Sequence, residues 1–486
     1  MNTENSLKGD RIIAQVPSLA DKTLRINLNT NIYGTFAEIG AGQETVRHFF
    51  RSGGSARTIA KAMSAYDKDF SDDIYGIEED GRYVTESRLK KMLSHEVDLM
   101  ESRLSREKHP TKIFFSYANT VATIDFAKQF KGHGWVGIRY QLDPEEDYNE
   151  ISLHIQFKET DTKLQQETLG TLGVNLIYGA FYKYRDPKVL ISYLYDHLDK
   201  DQLEIDTINF SGPRFAQVDN RLMSLQLVKF GMTDAVMFTP DGHNILPATM
   251  LYKKNILALR GSFRPVTKVN MDMYQKSMDM FLKDKKVDKE NTLVIFEITL
   301  SNLAFEGEID EADFIDRAEL LCSLGQTVMI SNFREYYKVV EYFANYTKER
   351  MVLAMGVSNL VYIFDEKYYR HLSGGILEAF GKLFYRDLKV FLYPMLDESG
   401  EIITSENLKV HPRLKELYKF FKFNGKLVDI ENPDSTILGV FSRDVLKMIN
   451  KGEAGWEQML PEGIANLIKD KKLFDYDHSR SLEAKK

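Results

Sequence analysis

The residues best suited to chemistry form a glycine turn followed by cations. Ser52-Gly53-Gly54-Ser55 leads into a segment that we predict to be a helix from Ala56 to Ala65, capped by Ser55. Arg57 and Lys61 would then lie one turn apart on one face. N–H groups at a helix start attract anions, and a guanidinium binds phosphate through two hydrogen bonds. The pattern predicts an anion site, with a capped helix and a solvated basic face as the alternative.

A second glycine turn, Gly40-Ala41-Gly42, begins like a dinucleotide-binding fingerprint. Thr45 stands where that fingerprint needs its third glycine, and Glu44 would place negative charge near a pyrophosphate. We therefore do not predict a dinucleotide site at this turn.

Three further arginines lie beside predicted turns: Arg221, Arg260 and Arg264. Together with Arg57 they could clamp phosphate or carboxylate groups of a ligand. Alternatively, they neutralise buried carboxylates of the protein itself. The sequence leaves both interpretations open.

Small polar residues recur where predicted strands end. Ligands of parallel α/β sheets bind beyond these ends, and amide and hydroxyl groups suit a hydroxyl-rich or phosphorylated ligand. Ordinary turn chemistry is the alternative, because Ser, Asn and Asp begin loops in most proteins. The residues that we predict to contact ligand are Asn209, Ser211, Asn302, Asn332 and Asn359.

Glu297 and Asp241 are the candidates for acid–base catalysis. Glu297 interrupts an apolar run, Leu293 to Ile298, where a carboxylate must be paired or carry a raised pKa. Pairing with an arginine is the alternative role for Glu297. The histidines show no metal-ligand spacing, so we predict no dedicated metal site. Mg²⁺ bound by Asp241 and Glu297 is the one cofactor that the residue types admit, and the spacing does not demand it.

Alternating strand-like and helix-like segments follow residue 150. β-branched runs separated by amphipathic segments predict parallel βαβ units, arranged as an open sheet or a barrel. Strands are predicted at 151–157, 203–210, 235–239, 292–300, 327–331, 350–357 and 388–394. Helices are predicted at 163–182, 219–230, 272–284, 312–324, 334–346 and 375–385.

The fold class is therefore α/β: an N-terminal α+β module, a largely parallel core, and a helical C-terminal extension. The predicted divisions are a polar lead-in at 1–26, the module with the glycine-rich anion site at 27–147, the core at 148–396, and the extension and tail at 397–486.

Composition excludes several classes of protein. The chain of 486 residues is 43% hydrophobic, which is enough for large cores. Cys322 is the single cysteine, so an internal disulfide framework is excluded and a reducing compartment is expected. A formal net charge of -7 without a long basic run argues against nucleic-acid binding. No apolar run reaches the roughly 18 residues of a membrane span. We expect a cytoplasmic protein without nucleic-acid or membrane partners.

Several segments resemble one broad bacterial family of about this length. They are NIYGTFAEIGAGQETVRHFF, SARTIAKAMSAYD, GVNLIYGAFY, DNRLMSLQLVKFGMTDA and RGSFRPVT, in that order. Members of this family are mostly uncharacterised cytosolic proteins, some labelled nicotinate-nucleotide adenylyltransferase or TonB-box-like protein. The His-x-Gly-His signature of such adenylyltransferases does not occur in this sequence. The resemblance implies a cytosolic bacterial protein with a polar site.

The sequence as a whole suggests an enzyme acting on a phosphorylated or nucleotide-like small molecule, by group transfer of the nucleotidyl or phosphoribosyl type. The alternative is a non-catalytic ligand-sensing or scaffold protein, in which the arginines pair internally. An anionic small molecule is the expected partner, and the sequence leaves a homo-oligomer open.

Overall fold

The computed structural model describes residues 16–79, 81–104, 106–305 and 308–477. It divides the chain into two compact units, Met1–Val218 and Asp219–Lys486. Each unit is built around its own mixed or parallel sheet, so the α/β class predicted from the sequence is confirmed.

The N-terminal unit contains a six-stranded sheet. In this sheet β1 pairs in parallel with both β2 and β3, while β4, β5 and β6 continue antiparallel from β3. The strands are β1 (Ile32–Ile39), β2 (Ile59–Met63), β3 (Ile113–Ala122), β4 (His133–Tyr140), β5 (Asn149–Phe157) and β6 (Leu203–Ser211).

Helices cover both faces of this sheet. They are α1 (Leu19–Asn27), α2 (Glu44–Ser52), α3 (Lys68–Tyr75), α4 (Glu86–Arg103), α5 (Thr162–Tyr182) and α6 (Pro187–Tyr193). On one face Leu93 of α4 belongs to a core with Ala37 and Ala118 of the strands. On the other face Phe181 of α5 packs edge-on against Phe115, with ring centroids 5.6 Å apart. Alternate strand residues therefore serve two separate cores.

The boundary between the units differs from the predicted one. The strands at 151–157 and 203–210 were expected to begin the parallel core at residue 148. They are instead β5 and β6, antiparallel strands of the N-terminal sheet, and the second unit begins at Asp219. Strand direction depends on long-range pairing, which local hydrophobic periodicity does not encode.

The C-terminal unit is built on an eight-stranded open sheet, which decides between the open sheet and the barrel left by the sequence. Its order is β18-β15-β14-β9-β10-β13-β7-β8, flanked by two short ribbons, β11 with β12 and β16 with β17. The strands are β7 (Ala235–Phe238), β8 (Asn244–Ile245), β9 (Asn255–Arg260), β10 (Thr292–Thr299), β11 (Ala304–Phe305), β12 (Glu308–Ile309), β13 (Thr327–Ser331), β14 (Met351–Gly356), β15 (Lys389–Tyr393), β16 (Met395–Leu396), β17 (Ile402–Ile403) and β18 (Leu427–Asp429).

Six strands of this sheet are parallel. Counted in chain order from β9, they stand in the order 3-2-1-4-5-6 across the sheet, the doubly wound arrangement. The chain runs outward from β9 through β10 to β13, and then returns to β14 on the other side of β9. β7 pairs antiparallel with β13, so β7 runs against these six strands.

Helices lie on both faces of the sheet. They are α7 (Asn220–Lys229), α8 (Pro247–Leu251), α9 (Lys268–Phe281), α10 (Leu300–Leu303), α11 (Glu311–Ser323), α12 (Tyr336–Ala344), α13 (Asn359–Ile363), α14 (Gly375–Leu383), α15 (Lys415–Phe423), α16 (Ser442–Lys451) and α17 (Ile464–Lys471). Phe296 of β10 belongs to a core with Phe314 of α11, whereas its neighbour Ile295 belongs to another core with Val340 of α12. None of the described helices is long and apolar enough to cross a membrane.

The predicted C-terminal extension is helical, and it completes the core of this unit. β18 adds the sixth parallel strand, and Val445, Ile449 and Ile468 of α16 and α17 join one of the two cores. Residues 478–486 of the predicted tail and 1–15 of the predicted lead-in lie outside the described residues. Within the described lead-in, α1 begins at Leu19 with Ser18 as its cap.

Candidate functional site

The parallel strands of the C-terminal unit deliver several predicted site residues to one edge of the sheet. Because these strands share a direction, their carboxyl ends meet at that edge. The strand order reverses between β9 and β14, which is where doubly wound sheets have their ligand-binding crevice. The predicted residues found at this edge are Arg260, Arg264, Glu297, Asn302, Asn332 and Asn359.

Glu297 is the buried partner of Arg260. The guanidinium donates from Nε to Oε2 and from Nη2 to Oε1, each at 2.8 Å, and the Ser331 hydroxyl donates to Oε1 at 2.6 Å. Glu297 is 1% exposed, and Arg260 lies 4.4 Å from the ring centroid of Tyr336. This geometry matches the arginine pairing that the sequence left as the alternative to catalysis.

The turn from β9 to α9 is held in place by hydrogen bonds to its carbonyl groups. The carbonyl of Gly261 accepts from Asn302 Nδ2 at 3.2 Å, and that of Ser262 accepts from Nη1 of the buried Arg317 at 2.9 Å. In a trans peptide the N–H points opposite to the C=O. The N–H groups of Ser262 and Phe263 therefore point away from these partners, and neither donates to an acceptor within the described residues.

Two features make this turn suitable for an anion. Phe263 has a φ of 47°, the left-handed conformation that turns successive N–H groups toward one concavity. Arg264 follows it and donates Nε to Asp313 at 2.5 Å, while its side chain remains 34% exposed. The guanidinium is thus fixed by a buried carboxylate and still reaches solvent.

The remaining amides at this edge have different roles. Asn302 anchors the β9–α9 turn, as described above. Asn332 is exposed after β13 and donates its backbone N–H to the Asp234 carbonyl at 2.9 Å. Asn359 begins α13 directly after β14, on the opposite side of the crevice from the β9–α9 turn.

Arg221 and Asp241 do not join this edge. β7 runs antiparallel to β13, so the hairpin carrying Asp241 leaves the sheet where β13 begins. Asp241 is exposed and accepts from His243 Nδ1 at 2.7 Å. Arg221 pairs with Asp219 at 2.8 Å and with Glu319 at 3.0 Å. Asp241 and Glu297 therefore cannot share one ion.

The glycine turn of the N-terminal unit is present, but the helix predicted after it is wrong. Gly53 and Gly54 have φ of 81° and 73°, and a 3-10 turn follows at Ser55–Arg57. The next residues form β2, because pairing along β1 outweighs their helix propensity. Gly54, and not Ser55, stands at the cap position of this turn.

Arg57 and Lys61 consequently lie in different clefts. Arg57 lines a cleft of about 410 Å³ with Asn27, Thr30, Gly54 and Ser55. Lys61, on the strand, lines another of about 380 Å³, where Nζ lies 2.6 Å from Glu96 Oε2. The two cations therefore do not form one anion site.

The Gly40-Ala41-Gly42 turn is filled by the protein itself. Glu38 accepts from the N–H groups of Thr45 and Val46 at 3.3 and 3.0 Å, at the start of α2. Burial raises the pKa of Glu38 to about 7, although these N–H bonds and Asn119 favour the charged form. A carboxylate of the chain thus occupies the place where a phosphate would bind.

Asn209 and Ser211 belong to β6 of the N-terminal unit, opposite Ser152 and Glu150 of β5. They lie in a different unit from the carboxyl edge described above. We expected the five predicted polar residues to gather at one sheet, and these two do not.

The same face of this sheet carries a cluster that the sequence interpretation missed. His154 Nδ1 lies 2.7 Å from Asp206 Oδ1, and His154 Nε2 lies 3.2 Å from His133 Nδ1. The histidines are distant in sequence, but antiparallel pairing sets Trp135 opposite His154. Polar residues at alternate positions of 150–156 were the signal for a polar face on β5. Among the described residues, no group of three or more His, Cys, Asp or Glu side chains is arranged to hold a metal ion.

No protein-family model and no curated protein match the chain. Among solved structures, it is similar to a competence-damaged protein (CinA) superfamily protein from Enterobacter cloacae. The identity is 12%, the TM-score 0.25, and the match covers 37% of this chain and 99% of that one. For a CinA superfamily protein from Escherichia coli, the identity is 12% and the TM-score 0.22, and the match covers 33% of this chain and 89% of that one. For the competence/damage inducible protein CihA from Agrobacterium tumefaciens, the identity is 14% and the TM-score 0.19, and the match covers 30% of this chain and 83% of that one. We infer neither fold nor function from TM-scores this low.

Proposed function

We propose that the protein is an enzyme acting on a phosphorylated or nucleotide-like small molecule, whose phosphate binds at the β9–α9 turn of the C-terminal unit. The observation that carries this proposal is the pair of outward N–H groups at Ser262 and Phe263. They occupy the first turn of a doubly wound sheet, the place where such sheets bind phosphates.

Arg264 supplies the positive charge for this site. Its Nε is held by Asp313, so the guanidinium loses little further freedom on binding, and its outer nitrogens can donate to phosphate oxygens. Ser358 and Asn359 after β14 stand on the other side of the crevice and would orient hydroxyl groups of the ligand. Group transfer of the nucleotidyl or phosphoribosyl type is the reaction class that we assign to this ligand.

A second candidate is a ligand-sensing or scaffold protein without catalysis. Arg221, Arg260 and Arg264 each pair with carboxylates of the chain, as this alternative predicts. Both candidates need the crevice to bind ligand, and they differ in whether the bound ligand is converted.

Calorimetric titration and thermal shift with nucleotides, NAD precursors, sugar phosphates and phosphoribosyl pyrophosphate test the proposal, with and without Mg²⁺. Ligand at 100 times its Kd stabilises a protein by about 2.7 kcal/mol. Arg264→Gln should weaken binding by roughly ten- to a hundred-fold, the range of a charged hydrogen bond. Arg443→Gln is the matched control, because Arg443 is 76% exposed on α16 and should leave binding unchanged.

Equal binding by the two variants, or no binding across the whole set, contradicts the proposed site. Phosphorus NMR of the protein with any ligand that binds then separates the two candidates. New phosphorus signals indicate an enzyme, and an unchanged ligand spectrum indicates a sensor.

A further inference from the structure

Asp206, His154 and His133 form a hydrogen-bonded series in which the direction of donation is fixed. Asp206, as a carboxylate, can only accept, so the neutral form of His154 carries its proton at Nδ1 and a lone pair at Nε2. That lone pair in turn requires the proton of His133 to be at Nδ1. The lone pair of His133 is then at Nε2, the outer end of this hydrogen-bonded series.

A β-bulge in the backbone places Asp206 within hydrogen-bonding distance of His154. His154 pairs with Thr207 and Ile155 pairs with Ile205, which leaves Asp206 as the additional residue of a β-bulge. The bulge turns Asp206 toward the face that carries His154. Gln156 Nε2 donates to the second carboxylate oxygen at 2.7 Å, so both oxygens are held.

The inner part of this hydrogen-bonded series is shielded from water. His154 and Asp206 are 2% and 3% exposed, and the Trp135 ring lies 5.1 Å from the His154 ring. Thr207, directly opposite His154, has a buried hydroxyl with no hydrogen-bond partner in the described chain. These groups form a buried polar cluster with one unused hydroxyl.

The outer end of this hydrogen-bonded series, at His133, is open. His133 is half-buried, and its Nε2 contacts no hydrogen-bonding group within the described residues. Burial, together with His154 and Arg82 and against the opposing effect of Asp206, lowers the pKa of His133 to about 4. The ring is therefore neutral at pH 7.

We propose that His133 is the base of a proton-abstraction site in the N-terminal unit. Its Nε2 takes the proton of a bound water or of an alcohol group on a ligand. The electrons of the broken O–H bond stay on the oxygen, which becomes the nucleophile, and the new N–H bond makes His133 an imidazolium. His154 and Asp206 are positioning residues, because they act through His133.

Ring-nitrogen NMR of the full-length protein labelled with ¹⁵N-histidine tests this directly. At pH 7, His133 and His154 should each be protonated at Nδ1. In Asp206→Ala, the Nδ1–H form of His154 loses its acceptor, and His133 molecules protonated at Nε2 should appear. Asp201→Ala, in the exposed turn before β6, is the control and should leave both tautomers unchanged.

Carbethoxylation by diethyl pyrocarbonate gives a chemical readout of the same lone pair. His133 should be modified at Nε2, and Asp206→Ala should slow this reaction roughly two-fold or more, because the reagent needs an unprotonated nitrogen. Wild-type His133 protonated at Nε2, or the same tautomer in wild type and Asp206→Ala, overturns the proposal. If Asp206→Ala does not fold, the wild-type tautomer still decides.

Discussion

Glu38 and Glu297 are two strand carboxylates, each 1% exposed, that the two units hold in opposite ways. Glu297 lies against the guanidinium of Arg260, so its charge is balanced within the core. Among the described residues, Glu38 meets only neutral donors, such as the N–H groups of α2 and the amide of Asn119, and its pKa rises to about 7. The sequence around a buried acid therefore does not determine its chemistry. The charge of its tertiary neighbours does.

The largest effect should come from removing one member of the ion pair. Glu297→Ala leaves the Arg260 charge buried without its partner, which should lower the free energy of unfolding by about 3–5 kcal/mol. Urea denaturation of the full chain measures this change. Asp241→Ala, which removes an exposed carboxylate, should change it by less than about 0.5 kcal/mol.

The double variant Arg260→Met with Glu297→Leu refines this test. It removes both charges and should be much more stable than Glu297→Ala. A Glu297→Ala variant as stable as Asp241→Ala would show that the two strand acids do not differ in the way described.

An intermediate effect should follow from Glu38, and it depends on pH. Its folded pKa of about 7 exceeds the ordinary value of 4.5, so the folded protein binds the proton more tightly than the unfolded chain. This stabilisation is fully present below pH 4.5 and is lost as the pH rises through 7. At about 1.4 kcal/mol per pKa unit, the loss is on the order of 3 kcal/mol.

Glu38→Gln imitates the neutral acid and should remove most of this pH dependence. Urea denaturation at pH 5 and at pH 8 measures the difference between the two variants. Glu145→Gln, in an exposed turn, should retain the wild-type slope. A Glu38→Gln variant whose stability still falls with pH like wild type would assign the slope to other groups.

The smallest effect should be the same in both units. Asp161 caps α5 in one unit, and Asp310 caps α11 in the other, each by accepting a backbone N–H. Alanine at either position should cost about 1 kcal/mol, since a cap is a local interaction. Thermal unfolding of the two variants measures the costs, and unequal values would mean that tertiary surroundings affect the caps as they affect the buried acids.

Local patterns in the sequence predicted most of the elements. All seven predicted strands after residue 150 are strands, and α5, α7, α11, α12 and α14 begin within a few residues of the predicted starts. There are two notable exceptions. In the segment after Ser55 a helix was predicted and β2 is found, and β9 (Asn255–Arg260) was not predicted as a strand. An isolated pattern of alanine, lysine and methionine favours a helix, and only the open edge of β1 makes it a strand.

The candidate sites were predictable only in part. The glycine and arginine signals at 260–264 were visible because turn residues act locally. The hydrogen bonds from Asn302 and Arg317 to the carbonyl groups of that turn could not be predicted, since these residues are far from the turn in sequence. His133 and His154 looked isolated for the same reason, because a hairpin register brings them together.

The sequence by itself determined the α/β class, the positions of most strands and helices, the glycine turns and the presence of a buried acid at Glu297. These follow from periodicity and backbone preferences over a few residues. The tertiary structure decided the direction of β5, β6 and β7, the division of the chain at Asp219, and the partner of each buried charge. These depend on contacts between residues far apart in the chain, whose free energies no local pattern records.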